Sequence, residues 1–414
     1  MSRAQISKSA LNVLYGLKKA GYQACLVGGG VRDLLVGITP KDFDIATDAS
    51  PEEVRAVFRN SRLIGRRFRL AHVRFGREII EVATFRAAHD KAQSAGQAVV
   101  EDDRILRDNV FGNQDEDAQR RDFTVNALYY DIADFSILDY FGGYQDVEKK
   151  QIRMIGEPYQ RYREDPVRLL RAARLAAKLD FSIEADTAAP IAELGPLLDD
   201  VPRARLFDEL LKLFQSGHAV RSYALLQEYE LLHHLLLWPE AVEPTDQHLV
   251  DLALADSDQR LQQGKSIAPF FTFAALLWPI RQEIFAQESP NSDDAYALHN
   301  LASHRAVSDQ QHLLPIPKRI IQPLLETWNL QDRFERRIGK KPYKLLHHPR
   351  FRAAYDFLLL RSRAATAAGI EPELAELAQW WTDFQHTDND TREGMTRPRS
   401  KPKRRRSPKK SPAP

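Results

Sequence analysis

Between residues 7 and 20 the apolar positions Leu11, Leu14, Tyr15 and Leu17 recur along one helix face, and Gly21 follows where such a helix should stop. The pattern then shortens. Ala24-Cys25-Leu26-Val27 is a brief apolar run that reads as a strand, and it leads into Gly28-Gly29-Gly30. Residues 31–36 read as the helix after that turn, stopped by Gly37, and residues 42–47 alternate polar and apolar as a strand does. A helix over 51–58 and a strand over 79–85 follow. Beyond about residue 147 the periodicity is helical almost throughout, to about residue 384, with loops expected at 90–104 and 286–300 and no internal repeat. The pattern predicts an α+β N-terminal head over 1–147, a mixture of strands and helices. It predicts an all-α neck over 148–215 and an all-α body over 216–385, leaving a tail over 386–414.

Composition narrows the class. A chain of 414 residues, 43% apolar and 28% charged, has the balance of a folded protein of roughly two to four domains. Its single cysteine, Cys25, excludes an intramolecular disulfide and a multi-thiolate zinc site. The first dozen residues lack the apolar core of a signal peptide, and no apolar run is long enough to span a bilayer. A soluble, cytoplasmic, monomeric protein is expected. The net charge of +2 hides an asymmetry: residues 397–414 carry nine cations and no acid, leaving 50 basic against 57 acidic residues elsewhere. A basic tail rich in Pro and Ser, with Arg404, Arg405 and Arg406 at its centre, is expected to be disordered. It suits a polyanion, although charge alone does not separate RNA from DNA or an anionic membrane.

The candidate chemistry lies in the head. On a strand, Asp42 and Asp44 share a face, so both carboxylates can reach one set of cations, and hard oxygen donors suit Mg²⁺. Paired strand aspartates are also common on plain surfaces. The upstream glycines alter that balance, because a strand followed by a Gly-rich turn brings backbone N–H groups together where a phosphate can sit. Arg32 adds a charged donor. The spacing fits neither a P-loop nor a GxGxxG dinucleotide fingerprint. Farther on, Pro166 suits a first helical turn with Asp165 as its cap, and Arg168, Arg171 and Arg174 fall along one flank of that helix.

Leu26-Val27-Gly28-Gly29-Gly30-Val31-Arg32-Asp33 followed by Asp42-Phe43-Asp44 resembles the opening motif of the class II nucleotidyltransferases of the DNA polymerase beta superfamily. Three more motifs of that class are matched in order. They are Arg120-Arg121-Asp122-Phe123-Thr124-Val125-Asn126-Ala127, Asp139-Tyr140-Phe141-Gly142-Gly143 and Glu164-Asp165-Pro166-Val167-Arg168-Leu169-Leu170-Arg171. The stretch Leu63-Ile64-Gly65-Arg66-Arg67-Phe68-Arg69-Leu70-Ala71-His72-Val73 resembles the segment that separates bacterial poly(A) polymerases from CCA-adding enzymes.

The resemblance implies a polymerase beta-like mixed sheet and template-independent transfer of AMP from ATP to RNA 3′-hydroxyls. It implies two Mg²⁺ ions held by Asp42 and Asp44, with Glu81 the candidate third carboxylate and Asp122 supporting catalysis. Gly28, Gly29, Arg32 and Arg121 would hold the nucleotide, and Asp165, Arg168 and Arg171 of the neck would read its base. In the body, Lys318, Arg319, Arg336, Arg337, Lys340 and Lys341 form basic patches suited to single-stranded RNA, where Tyr343 offers a stacking ring. Exposed basic helix ends are also common without a ligand. A CCA-adding enzyme shares every catalytic motif, and an idle RNA-binding module on the same scaffold is the alternative of another class.

Overall fold

The computed structural model describes residues 2–65, 69–87, 99–101, 104–107, 110–291, 294–370 and 372–397. Arg66, Arg67 and Phe68, and Arg404, Arg405 and Arg406 with the rest of the tail beyond Arg397, lie outside the described residues. The chain forms two compact units, Met1–Leu235 and Leu236–Pro414.

The first unit opens with helix α1 (Lys8–Lys19), whose start is fixed by the Ser7 hydroxyl accepting from the Ala10 amide at 3.1 Å. Its buried stripe of Val13, Leu14 and Leu17 packs on a seven-stranded mixed sheet. The strands of that sheet are β1 (Ala24–Val27), β2 (Asp44–Thr47), β3 (Ser61–Ile64), β4 (Leu70–Phe75), β5 (Glu78–Thr84), β8 (Leu128–Asp131) and β9 (Ile137–Asp139), in the order β3-β4-β5-β2-β1-β8-β9. A separate hairpin, β6 (Val99–Glu101) and β7 (Arg104–Arg107), falls in the stretch expected as a loop. Strands β1 and β2 are antiparallel and β2 and β5 parallel, and β1, near the centre of the sheet, is apolar and buried at all four positions. Cys25, at its middle, is a packed core residue whose thiol is pushed up to about 12 by burial.

The same region carries helices α2 (Gly29–Leu35), α3 (Pro51–Val57) and α4 (Gln114–Gln119), and α3 carries a full capping box between Ser50 and Glu53. Downstream, α5 (Val167–Leu179) buries Leu169, Leu170, Ala173 and Ala176 and packs on α6 (Arg203–Phe214) and the helix Ala219–Glu228. The neck is not wholly helical: Gln151–Ile152 and Ser182–Ile183 form a two-stranded parallel ladder.

The second unit is helical. Its core gathers Phe334, Phe351, Leu358, Trp381 and Phe384. Its relevant helices are α7 (Ala295–Leu313), α8 (Lys318–Gln331), α9 (Lys341–Leu346) and α10 (Asn389–Thr396). Helix α10 lies within the stretch expected to be disordered, and it forms because the Asp388 carboxylate caps it through the Thr391 amide at 2.9 Å. Among the described residues, no helix is long and apolar enough to cross a membrane.

Candidate active site

Val27 at the end of β1 pairs with Asp44 at the start of β2, and Asp44 pairs in turn with Glu81 of β5. The register therefore places the Gly28 turn beside two carboxylates. Gly28 adopts φ 71° and ψ −132°, a conformation that side chains disfavour, and a Cβ there would stand 3.3 Å from the Arg121 guanidinium. Over this end of the sheet opens a cavity of about 530 Å³. It brings together Gly28, Gly29, Arg32, Asp44, Glu81, Arg121, Asp122, Asp165, Arg168 and Arg171, drawn from five separate stretches of sequence.

Asp42 is not part of that lining. Strand β2 begins only at Asp44, so pleat alternation does not aim Asp42, and its exposed side chain belongs to the preceding connection. Its charge is still felt. Asp44 keeps solvent contact at one edge, yet loss of water to the cavity walls pushes its carboxyl up to about 6. The negative charge of Glu81 adds to that push, Arg121 opposes it, and Asp42 adds a smaller share. Glu81 is held from the neighbouring strand: His72 lies opposite it in the β4–β5 register, with Nε2 3.1 Å from the carboxylate.

The donor set fits a hard divalent cation in its chemistry, since crowded carboxylate oxygens that repel one another are relieved by one. Among the described residues, no three His, Cys, Asp or Glu side chains are already drawn into a shared metal site.

Asp122 forms the floor of the cavity, 7% exposed. Burial alone would raise its pKa. The Arg171 guanidinium at 2.6 Å, the Asn126 amide at 3.0 Å and the Phe123 N–H at 2.8 Å outweigh that and hold it at about 2. The chain of contacts continues. Arg32 donates to the Asn126 side-chain amide oxygen and, at 2.6 Å, to Asp33, whose other oxygen accepts from Lys178 at 2.6 Å. Arg171 and Lys178 stand two turns apart on α5, so this network fastens α2 and the Asn126 turn to the neck helix.

Asp165 does not cap α5. Both its oxygens accept from Arg205 of α6, each at 2.7 Å, and α5 has Pro166 at its N-cap with no side-chain cap. A bidentate charged fork outcompetes one neutral amide bond. The three arginines of the expected flank also part ways: Arg168 binds Glu164 at 3.0 Å, Arg171 binds Asp122, and Arg174 binds Glu209 at 3.0 Å. Arg121 is held by Asp117 and by the Tyr129 hydroxyl, each at 2.9 Å.

Lys178, Arg205, Asn126 and Asp117 line the cavity without having been singled out in the sequence. Lys178 carried a signal, seven residues beyond Arg171 on one helix; Arg205, forty residues from Asp165, carried none. Altogether nine cationic and five acidic side chains line the cavity. Burial and the neighbouring Arg86, Arg161 and Arg168 push the Arg120 pKa down, the crowding of charged guanidinium groups that an anion relieves.

The basic residues of the body belong to the second unit and are not among the residues that line this cavity. Lys318 and Arg319 are exposed at the start of α8, and Arg336, Lys340 and Lys341 are exposed near α9. Arg337 is half-buried, with its guanidinium 6.0 Å from the Trp380 ring. The Tyr343 ring is half-buried and makes an edge-on contact with Phe384, with the ring centroids 5.3 Å apart.

Residues 24–153 match the family described as Poly A polymerase head domain. Residues 180–243 match the probable RNA and SrmB-binding site of polymerase A, and residues 291–412 its arginine-rich C-terminus. A solved tRNA-processing enzyme in an apo form superposes with a TM-score of 0.62 at 22% identity, covering 96% of this chain and 99% of its own, which is a likeness of fold. A CCA-adding enzyme of Streptococcus pyogenes is 32% identical over 67% of this chain and 72% of its own length. The poly(A) polymerase I of Salmonella typhimurium is 46% identical over 100% of this chain and 90% of its own length, and the chain belongs to the poly(A) polymerase family.

Proposed function

We propose that this chain extends RNA 3′ ends without a template, transferring AMP from ATP to the 3′-hydroxyl and releasing pyrophosphate. The observation that carries the reading is the single cavity in which the Gly28–Gly29 turn, the carboxylates of β2 and β5 and the cationic face of α5 meet. Backbone N–H groups of the turn, Arg32 and Lys178 hold the triphosphate. The 3′-hydroxyl oxygen, giving up its proton to water, bonds to the α-phosphorus as the bond to the β-phosphate oxygen breaks, and the positive lining receives the charge of the departing pyrophosphate. Asp42, Asp44 and Glu81 would hold two Mg²⁺ ions, which when bound activate the 3′-hydroxyl and steady the leaving group. Asp122 acts from the floor by fixing Arg171 and Asn126.

Base selection belongs to the neck. Arg205 takes one lone pair from each Asp165 oxygen, and each oxygen retains another to accept from the adenine amino group. Arg121 orients the nucleotide while Arg168 shapes the base-reading wall behind Asp165. The body patches at Lys318, Arg319, Arg336, Arg337, Lys340 and Lys341, and Arg404, Arg405 and Arg406 of the tail, contact the RNA strand. In this reading the enzyme is a cytoplasmic monomer of mRNA processing and decay, with head 1–147, neck 148–215, body 216–385 and tail 386–414.

The test is a labelled RNA oligonucleotide offered each nucleoside triphosphate in turn. Long tails from ATP and little extension from CTP are expected. Addition of two cytidines and one adenosine to a truncated tRNA, then arrest, would establish the CCA-adding alternative instead.

A further inference from the structure

In the second unit most arginines are spoken for. Arg305 pairs with Glu288, Arg350 with Glu326, Arg352 with Asp356 and Arg363 with Asp256, and Arg281 is buried over Trp278. One cluster departs from this. Arg333 and Arg336, just beyond α8, and Lys341 and Lys344, one turn apart on α9, are all exposed. Among the described residues, none of the four pairs with a carboxylate. They line a cavity of about 560 Å³ together with Tyr296 of α7. The one acid in that lining, Asp294, is engaged as the cap of α7, accepting from the Tyr296 and Ala297 amides at 3.0 and 3.1 Å.

Tyr296 is the unusual member. Its side chain stands 48% exposed amid the cations, while the nearby Tyr343 is packed on Phe384. The neighbouring Asn300 and Arg333 side chains hold its phenol pKa below the usual range, and the Asn300 amide donates to the Tyr296 backbone carbonyl at 3.2 Å. Four cations against one carboxylate around an open aromatic ring leave an excess of positive charge, which matches the needs of a strand of phosphates with exposed bases.

We propose that this cleft is a binding subsite for single-stranded RNA, in which one base stacks on Tyr296 and the flanking phosphates meet Arg333, Arg336, Lys341 and Lys344. This rests on the reading of the chain as an enzyme of RNA 3′ ends, and it defines a base-stacking contact that the basic residues alone do not. An acidic protein segment would use the cations and not the ring.

The experiment measures the affinity of the full chain for a short unstructured RNA, without ATP or metal, across a salt series. Tyr296→Ala is expected to weaken binding by about 5- to 150-fold, the usual loss of one base–aromatic stack, with the salt slope unchanged. Tyr296→Phe keeps the ring and should stay within about twofold of wild type. Arg336→Gln together with Lys341→Gln should flatten the slope by about 1.4, the counterions of two single-strand phosphates.

Unchanged affinity of Tyr296→Ala overturns the subsite, and so does a Phe variant that loses as much as the Ala variant. An equal loss by Tyr296→Ala for blunt duplex RNA or polyglutamate also overturns it, because neither presents a free base. Because binding is read without ATP, the two readings fail separately. Wild type that transfers AMP but binds RNA independently of Tyr296 refutes the subsite alone. Wild type that binds through Tyr296 and transfers no AMP refutes only the polyadenylation reading.

Discussion

Asp44 sits where function and stability oppose each other. Its carboxyl is pushed up by lost hydration and by Glu81, with Asp42 adding to the strain, so in the metal-free protein it is a source of repulsion. Asp44→Asn is therefore expected to abolish AMP transfer while raising the Tm of the metal-free protein by a few degrees, corresponding to about 1 kcal/mol or less. Mg²⁺ should raise the Tm of wild type and leave the variant unmoved. Thermal melts with and without Mg²⁺ check this, and a variant that transfers AMP like wild type would remove Asp44 from the chemistry. The pairing of Asp44 with the Gly28 turn was legible in the sequence, because both are local signals sixteen residues apart. The position of Asp42 was not, because where a strand begins depends on its neighbours. Here β2 is hydrogen-bonded to β1 and β5 only from Asp44 onward.

At the scale of elements, α5 is the part on which the site turns. It carries Arg168 and Arg171 with their acidic partners and Lys178 on Asp33, and Asp165 just ahead of it is locked to α6 by Arg205. Arg205→Ala should free Asp165 to rotate and lower the preference for ATP over CTP by about 5- to 150-fold, the equivalent of one buried group losing its partner. Competition between the two nucleotides on a single primer reads this directly, and unchanged preference would show that Arg205 does not set the base pocket.

Arg171→Ala acts differently, because it strands a buried carboxylate. Asp122 is held at about 2, below its unfolded value near 3.9, so its share of stability is present above pH ~4 and disappears as pH falls through ~2. In wild type that share is on the order of 2 kcal/mol. Arg171→Ala should remove it, lowering stability at pH 7 and flattening its dependence on pH between about 2 and 4. Denaturant midpoints across that range give the measurement, and an unaltered pH dependence would show that Arg171 does not hold Asp122 ionised. The helix itself was readable from its apolar period. Its bonding was not, since Glu164, Asp122 and Glu209 each claim one of three arginines that look equivalent in sequence.

For the whole molecule, the charge imbalance matters most. Without the nine cations of residues 397–414 the chain holds 50 basic against 57 acidic residues, and so repels RNA at long range. Deletion after Thr396 should weaken RNA binding at low salt, reduce the salt slope and raise the apparent KM for RNA. The maximal rate at saturating RNA should change little, because the lost attraction is common to ground and transition states. Equal affinity and equal slope for the full and shortened chains would show that the tail is no tether.

What the sequence determined alone was what depends on near neighbours: the order of elements, the glycine turn before paired aspartates, and the change from mixed to helical periodicity near residue 147. Strand and helix periods, obligate glycines and motif spacing are short-range, so they survive without coordinates. Tertiary structure alone decided partnership. That Asp165 belongs to Arg205, that Lys178 reaches Asp33 across 145 positions, and that Tyr296 is open while Tyr343 is packed are all outcomes of packing distant segments together. A charged side chain binds whichever opposite charge the fold brings within reach, and sequence distance does not register that choice.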